Sequence, residues 1–142
     1  MNLSNDSGDT FIRREEEILK VQFFICNHCG NIIAMIKDQG APVKCCGENM
    51  QEIIAGTSEG AKEKHIPVYH IDGEIVTVCV GEAAHPMTPE HYIDWVCIET
   101  EKGFQIKKLT PDMSAKTSFA LTEDDKVKSA YAFCNLHSLW KS

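Results

Sequence analysis

Ile66-Pro67-Val68-Tyr69-His70-Ile71-Asp72-Gly73-Glu74-Ile75-Val76-Thr77-Val78-Cys79-Val80 reads as two strands, Ile66 to Ile71 and Glu74 to Val80, on either side of Asp72-Gly73. An Asp-Gly pair between such runs is a strong hairpin signal, since positive φ at both turn positions matches the twist of the flanking strands. The pattern continues downstream. Tyr92 to Glu99 alternates, with Ile93, Trp95 and Cys97 expected on one face, and Phe104 to Leu109, Thr117 to Leu121 and Ala130 to Leu136 are further short strands. About six strands separated by turn signals predict a mainly β protein built on an antiparallel sandwich.

Upstream of the hairpin the pattern is sparser. Val21 to Ile25 is a strand running into Cys26, Asn31 to Ile36 is its return, Asp38-Gln39-Gly40 is a turn, and Cys45-Cys46-Gly47 closes the unit. A module of about 35 residues is too small to rest on an apolar core alone, and a bound metal would supply the missing stability. Gly56-Thr57-Ser58-Glu59-Gly60 reads as a linker. Residues 1–19, with the run Arg13-Arg14-Glu15-Glu16-Glu17, read as a solvated extension or a short helix. The expected organisation is therefore an extension over 1–19, a metal module over 20–56 and a β-sandwich domain over 57–142.

Bulk properties narrow the function. At 142 residues, 43% hydrophobic and 25% charged, the chain has the composition of a soluble globular protein. No apolar run approaches the roughly 20 residues of a membrane helix. The first residues lack the basic and apolar regions of a secretion signal, so the expected location is cytoplasmic. A net charge of -7 argues against a nucleic-acid partner, and an anionic substrate would need a local cation to refocus the field. Seven cysteines in a reducing compartment point to metal ligation rather than disulfides.

Two clusters carry the chemistry. In the first, Cys26-x-x-Cys29 presents two sulfurs from one tight turn, and Cys45-Cys46 supplies two more. Adjacent side chains normally diverge, so Cys45 and Cys46 share an ion only if the backbone bends between them. Four sulfurs in a tetrahedron admit zinc or iron. His28 lies inside the turn, outside a shell already filled. The second cluster mixes donors: Cys134 with His137 three residues on, His85 and His91 six apart, and His65 alone. Pro86 biases His85 to extended backbone. Thr88-Pro89-Glu90 resembles a capped single turn that aims His91.

These segments together resemble the superoxide reductases. Glu63-Lys64-His65-Ile66-Pro67, His85-Pro86-Met87 with His91-Tyr92-Ile93, and Cys134-Asn135-Leu136-His137 are similar to the iron-site motifs of that family. Cys26-Asn27-His28-Cys29-Gly30 with Cys45-Cys46-Gly47-Glu48 resembles the desulforedoxin-like module of its two-iron members, the desulfoferrodoxins. The resemblance spans about residue 20 to the carboxy terminus and implies an immunoglobulin-like sandwich after the small module. It implies two iron ions per chain: one held by Cys26, Cys29, Cys45 and Cys46, the other by His65, His85, His91 and His137 with Cys134 as axial thiolate. It further implies reduction of superoxide to hydrogen peroxide, electrons from a rubredoxin-like donor, and a homodimer. Lys64 would steer the anion, and Glu63 would be the carboxylate that fills the sixth position in the oxidised resting state. Taken without the resemblance, Glu63 and Lys64 are an exposed charged pair worth little to stability. The competing readings are a non-catalytic metal-binding or redox-sensing protein and a dismutase. Cys79 and Cys97 lie in strand patterns and are expected as free thiols rather than as an inter-sheet disulfide.

Overall fold

The hairpin forms with its register moved by one residue. Asp72 pairs with Ile75, so the two loop residues are Gly73 and Glu74, and φ is positive at Gly73 alone, +59°. A glycine first in the loop is the other favoured two-residue hairpin, which needs one positive φ instead of two. The chain's computed structural model describes residues 20–142 other than 58, 59 and 61, with the backbone alone at Glu63. The expected extension over residues 1–19 lies outside the described residues.

Two compact units are present, one ending at Ile53 and the other running from Ile54 to Ser142. In the first, β1 (Gln22–Ile25) pairs antiparallel with β2 (Ile32–Met35) and with β5 (Gln51–Glu52). A two-residue ribbon, β3 (Lys44–Cys45) with β4 (Glu48–Asn49), carries the second cysteine pair. Val21, Phe23, Cys26, Met50 and Ile53 are its buried apolar residues. That is a thin core, and one of its members is a thiol.

The second unit opens with a single helical turn, α1 (Lys62–His65), and continues as seven strands: β6 (Pro67–Asp72), β7 (Ile75–Val80), β8 (Ile93–Thr100), β9 (Gly103–Lys108), β10 (Lys116–Ala120), β11 (Val127–Cys134) and β12 (Ser138–Lys141). They form two antiparallel sheets, ordered β10-β7-β6 and β12-β11-β8-β9. Alternation decides the packing. Val76, Val78 and Val80 from one sheet meet Ile93, Val96, Ile98, Ala130, Ala132 and Cys134 from the other, with Phe119 and Leu109. Each fully buried valine contributes about 1.5–2 kcal/mol of transfer free energy. Thr77 and Cys79 lie between the core valines of β7, and Cys97 lies between Val96 and Ile98, so both thiols face away from the space between the sheets. They are free.

Two sequence expectations are corrected here. A bulge where β8 meets the end of β11 leaves Asp94 as the extra residue, with Trp95 opposite Phe133 and Ile93 opposite Cys134. Ile93 therefore joins the core with Val96 and Ile98, while Trp95 stacks on Phe133 at 5.4 Å. The strand expected over Ala130 to Leu136 stops at Cys134, and β12, absent from the sequence reading, follows a three-residue connection.

Gly81 ends β7 with φ +81°, and a methyl added there would stand 2.5 Å from the carbonyl oxygen of Lys64 and 2.6 Å from that of Ala83. Its own N–H donates to the carbonyl of Ile66. The residue therefore ties α1 to the end of β7 by a close backbone approach that no side chain allows. Gly81→Ala should destabilise the folded chain by about 2–4 kcal/mol, combining a strained φ with overpacking against backbone. A urea titration of the metal-loaded protein measures it.

Candidate metal centres

The Cys26–Cys29 knuckle is closed by backbone bonds: Gly30 N–H donates to the Cys26 carbonyl at 2.9 Å and Cys26 N–H to the Asn31 carbonyl at 2.9 Å. Gly30 takes φ +81° to turn the chain back into β2. The difficulty posed by adjacent cysteines is solved at Cys46 itself, which adopts φ +53°, followed by Gly47 at +76°. A left-handed non-glycine residue costs about 1–2 kcal/mol, and here it swings the second thiol of the pair back beside the first. The four donor atoms lie within 4.8 Å of one another. Cys29 Sγ and Cys45 Sγ are 3.6 Å apart, and Cys45 Sγ and Cys46 Sγ 4.0 Å. Tetrahedral ligands on bonds of about 2.3 Å would stand about 3.8 Å apart, so the cage fits one ion.

Electrostatics agree. The backbone N–H of Cys29, 3.5 Å from Cys26 Sγ, holds that thiol down to about 6. Its neighbours Cys29 and Cys26 push Cys46 up to about 12. Four crowded thiols compete for protons, and a cation resolves the competition by taking all four as thiolates. His28 sits outside the cage, exposed, 3.9 Å from Glu48.

The second set gathers along one rim of the sandwich. His65 ends α1 just before β6, His85 and His91 lie in the connection from β7 to β8, and Cys134 and His137 flank the connection from β11 to β12. Strand pairing brings these together, because Pro67 lies opposite Val80, Ile93 opposite Cys134, and Cys134 opposite Ser138. The donor atoms of His65, His91, Cys134 and His137 lie within 4.8 Å of one another. His85 stands at the edge of this group, its ring edge-on to His65 and to His91, each at 4.7 Å.

The tautomer of His85 is fixed by its backbone contact. Nδ1–H of His85 donates to the Pro86 carbonyl at 2.7 Å, which leaves Nε2 as the acceptor nitrogen. Nε2 of His85 and of His91 is buried with no hydrogen-bond partner among the described residues. Such orphans cost about 1–3 kcal/mol each unless an ion satisfies them. His65 Nε2 lies 3.0 Å from His137 Nδ1, and Cys134 Sγ lies 3.7 Å from the same nitrogen. Two nitrogens at right angles on bonds of about 2.1 Å would be about 3.0 Å apart. Burial, then the neighbouring imidazoles, lower the pKa of His91, and burial pulls His85 down to about 4. Both shifts favour the neutral ring, the form that metal ligation requires. Five mixed donors exceed the three protein ligands of a catalytic zinc site.

A desulfoferrodoxin family profile matches residues 57–142. The chain belongs to the desulfoferrodoxin family. A desulfoferrodoxin of Clostridium acetobutylicum is 36% identical over 122 residues, 86% of this chain and 95% of that protein. One from Nitratidesulfovibrio vulgaris is 38% identical over 85% of this chain and 94% of its own length. The crystal structure of the superoxide reductase from Treponema pallidum superposes with a TM-score of 0.75 at 46% identity, covering 87% of this chain and 98% of that one.

Two residues of this desulfoferrodoxin site, Asn135 and Gly60, escaped the sequence reading. Trp140, shortly after the last ligand, reads from the sequence as able to pack over the site or to close the sandwich. Asn135 N–H donates to the Tyr92 carbonyl, its Oδ1 accepts from Tyr92 N–H at 2.9 Å, and its Nδ2 donates to the Glu90 carbonyl at 3.0 Å. It thereby bolts the Cys134–His137 turn to the His91 loop. Gly60, expected only as linker, lies against His65 and His137. Trp140 stacks on His65. A polar residue between two ligands was the available signal for Asn135; the place of Gly60 depends on contacts distant in sequence. The turn at Thr88 forms without a helix: His91 N–H donates to the Thr88 carbonyl and to Thr88 Oγ1, and Thr88 N–H donates to the His91 carbonyl.

Replacing Cys45 and Cys46 together with Ser should empty the first site and leave metal bound at the second, because the ligand sets are disjoint; metal analysis with an absorption spectrum checks this. In the metal-free chain, unfolded His85 takes up its proton near 6.5 and folded His85 near 4. Stability should therefore fall as pH drops from about 6.5 to about 4 and contribute no further slope below that. His85→Asn should flatten the fall, read from urea midpoints across that range.

Proposed function

We propose that this chain is a superoxide reductase: superoxide takes up one electron and two protons and leaves as hydrogen peroxide, with no oxygen evolved. The observation that carries the reading is the convergence of four imidazoles and one buried thiol on a single surface rim of a desulfoferrodoxin-family fold. Two iron ions are assigned per chain. The metal module over 20–56 holds the first through Cys26, Cys29, Cys45 and Cys46, and the domain over 57–142 holds the second through His65, His85, His91, Cys134 and His137. Iron held there would supply the electron, and the Cys134 thiolate would push electron density onto it.

The chain's own groups do the rest. Cys134 is fully buried among Val80, Ile93 and Ala132, so its sulfur is kept from water and from oxidants. Leu136, 60% exposed between two ligands, and the half-buried His91 and His137 bring the site to the surface where a small anion arrives. Lys64 is exposed beside His65, and its positive charge contributes to lowering the pKa of His91, which places that charge within reach of the site. On a chain of net charge -7 it is the local cation that draws superoxide in. Glu63 is assigned the carboxylate that closes the oxidised site.

Electrons come from a small rubredoxin-like donor in the cytoplasm. We also assign a homodimer. β2 is the edge of its sheet, and Ile36 beside it is 85% exposed. An apolar edge on so small a unit is covered by pairing with a second copy.

Anaerobic superoxide generation with a defined reductant tests the reaction. Each superoxide consumed should draw one electron from the reductant and yield one hydrogen peroxide without oxygen; oxygen release at half the superoxide consumed would make the chain a dismutase. Lys64→Ala should slow the second-order encounter about three- to tenfold at low salt and weaken its salt dependence, with iron content unchanged.

A further inference from the structure

Trp140 has no part in the ligand set, yet it meets two of its members. It lies in β12, three residues after His137, and is 3% exposed. Its indole stacks on the His65 ring, with centroids 4.9 Å apart and planes 28° from parallel. Its Nε1–H donates to the main-chain carbonyl of His137 at 3.0 Å. These are the two residues, 72 apart in sequence, whose Nε2 and Nδ1 stand 3.0 Å from each other. Gly60 closes the remaining side: a methyl there would lie 3.2 Å from His65 Cε1, 3.3 Å from His137 Cγ and 3.3 Å from Trp140 Cζ2. Indole, two imidazoles and a bare Cα form one junction, with no room beside Gly60 for a further side chain without displacing a ring.

Filling the core would require only apolar neighbours. Here the indole's single polar atom holds the carbonyl of a ligand residue, in a connection where Ser138 takes φ +62° at a cost of about 1 kcal/mol. We propose that Trp140 is the positioning residue of the mixed histidine–cysteine site. It fixes His65 and His137 in the mutual orientation in which Nε2 of one and Nδ1 of the other face a common ion, and so sets how long that ion stays bound. The inference rests on the reading that His65 and His137 hold iron. Donors locked before the ion arrives lose no rotational freedom on binding it, and removing outer partners of ligands typically weakens metal sites 10- to 100-fold.

The full-length protein, loaded anaerobically with ferrous iron, is compared with Trp140→Phe and Trp140→Leu. The readouts are the rate at which a ferrous chelator strips the mixed site and the position of its sulfur-to-iron charge-transfer band after oxidation. Far-ultraviolet circular dichroism and the urea midpoint of the sandwich unit report intact folding of each variant. Trp140→Leu, which loses both stack and donor, should release iron about tenfold faster or more and shift the band. Trp140→Phe keeps a stack and loses the donor, and should release iron about threefold faster. Gly60→Ala presses on the same rings without touching the Trp140 hydrogen bond, and should move both readouts; it stands in for Trp140→Leu if that variant fails to fold. Wild-type release rates and band position in the folded variants would overturn the proposal while leaving the ligand assignment standing. A wild-type chain that takes up only the iron of its four-cysteine centre would overturn both.

Discussion

Imidazole nitrogens and a thiol, crowded together and partly withdrawn from water, are destabilising until one cation satisfies them all, and the sandwich domain is organised around that condition. His65 and His85 are buried, as is Cys134. No two of the three segments carrying these donors are neighbours in the chain. They meet because strand registers fix their ends to a common rim, and because a metal site tolerates errors of only about 0.5 Å. Cys134 shows the dependence most directly. It is at once the last residue of β11, a member of the apolar core and a donor of the site. Packing between the sheets therefore places the sulfur, and the bulge at Asp94 is the local adjustment that brings Ile93 opposite it.

The four-cysteine unit solves the opposite problem. Its donors come from two short local turns, and two of them, Cys29 and Cys46, are exposed. Few apolar residues are buried there, so the ion takes over the role that a core plays in the larger unit. The left-handed backbone at Cys46 is the cost of presenting two adjacent thiols to one point, and it holds only while the cage is held.

Charge is arranged on two scales. The chain as a whole is acidic, which repels anions at distances comparable to the screening length of about 8–10 Å. At the rim burial holds His85 down to about 4, and exposed Lys64 carries the cation nearest the ligands in sequence.

The sequence alone determined the donors and the class of the fold. Cys-x-x-Cys, the adjacent cysteines, the Cys134–His137 run and the earlier histidines named both clusters, and β-branched runs punctuated by Asp and Gly named an antiparallel sandwich. These signals are local: each depends on side-chain type and spacing within about ten residues. What the tertiary structure decided was every choice set by pairing across the chain. The hairpin loop fell on Gly73 and Glu74, Ile93 turned inward past a bulge, and β12 formed because β11 offered it an edge. Cys79 and Cys97 were turned away from each other by which face of each sheet became the core. Asn135, Gly81, Gly60 and Trp140 acquired their places in the same way. A glycine or an indole carries no mark of what it will touch, since close approach and stacking are properties of segments that meet only when the chain has folded.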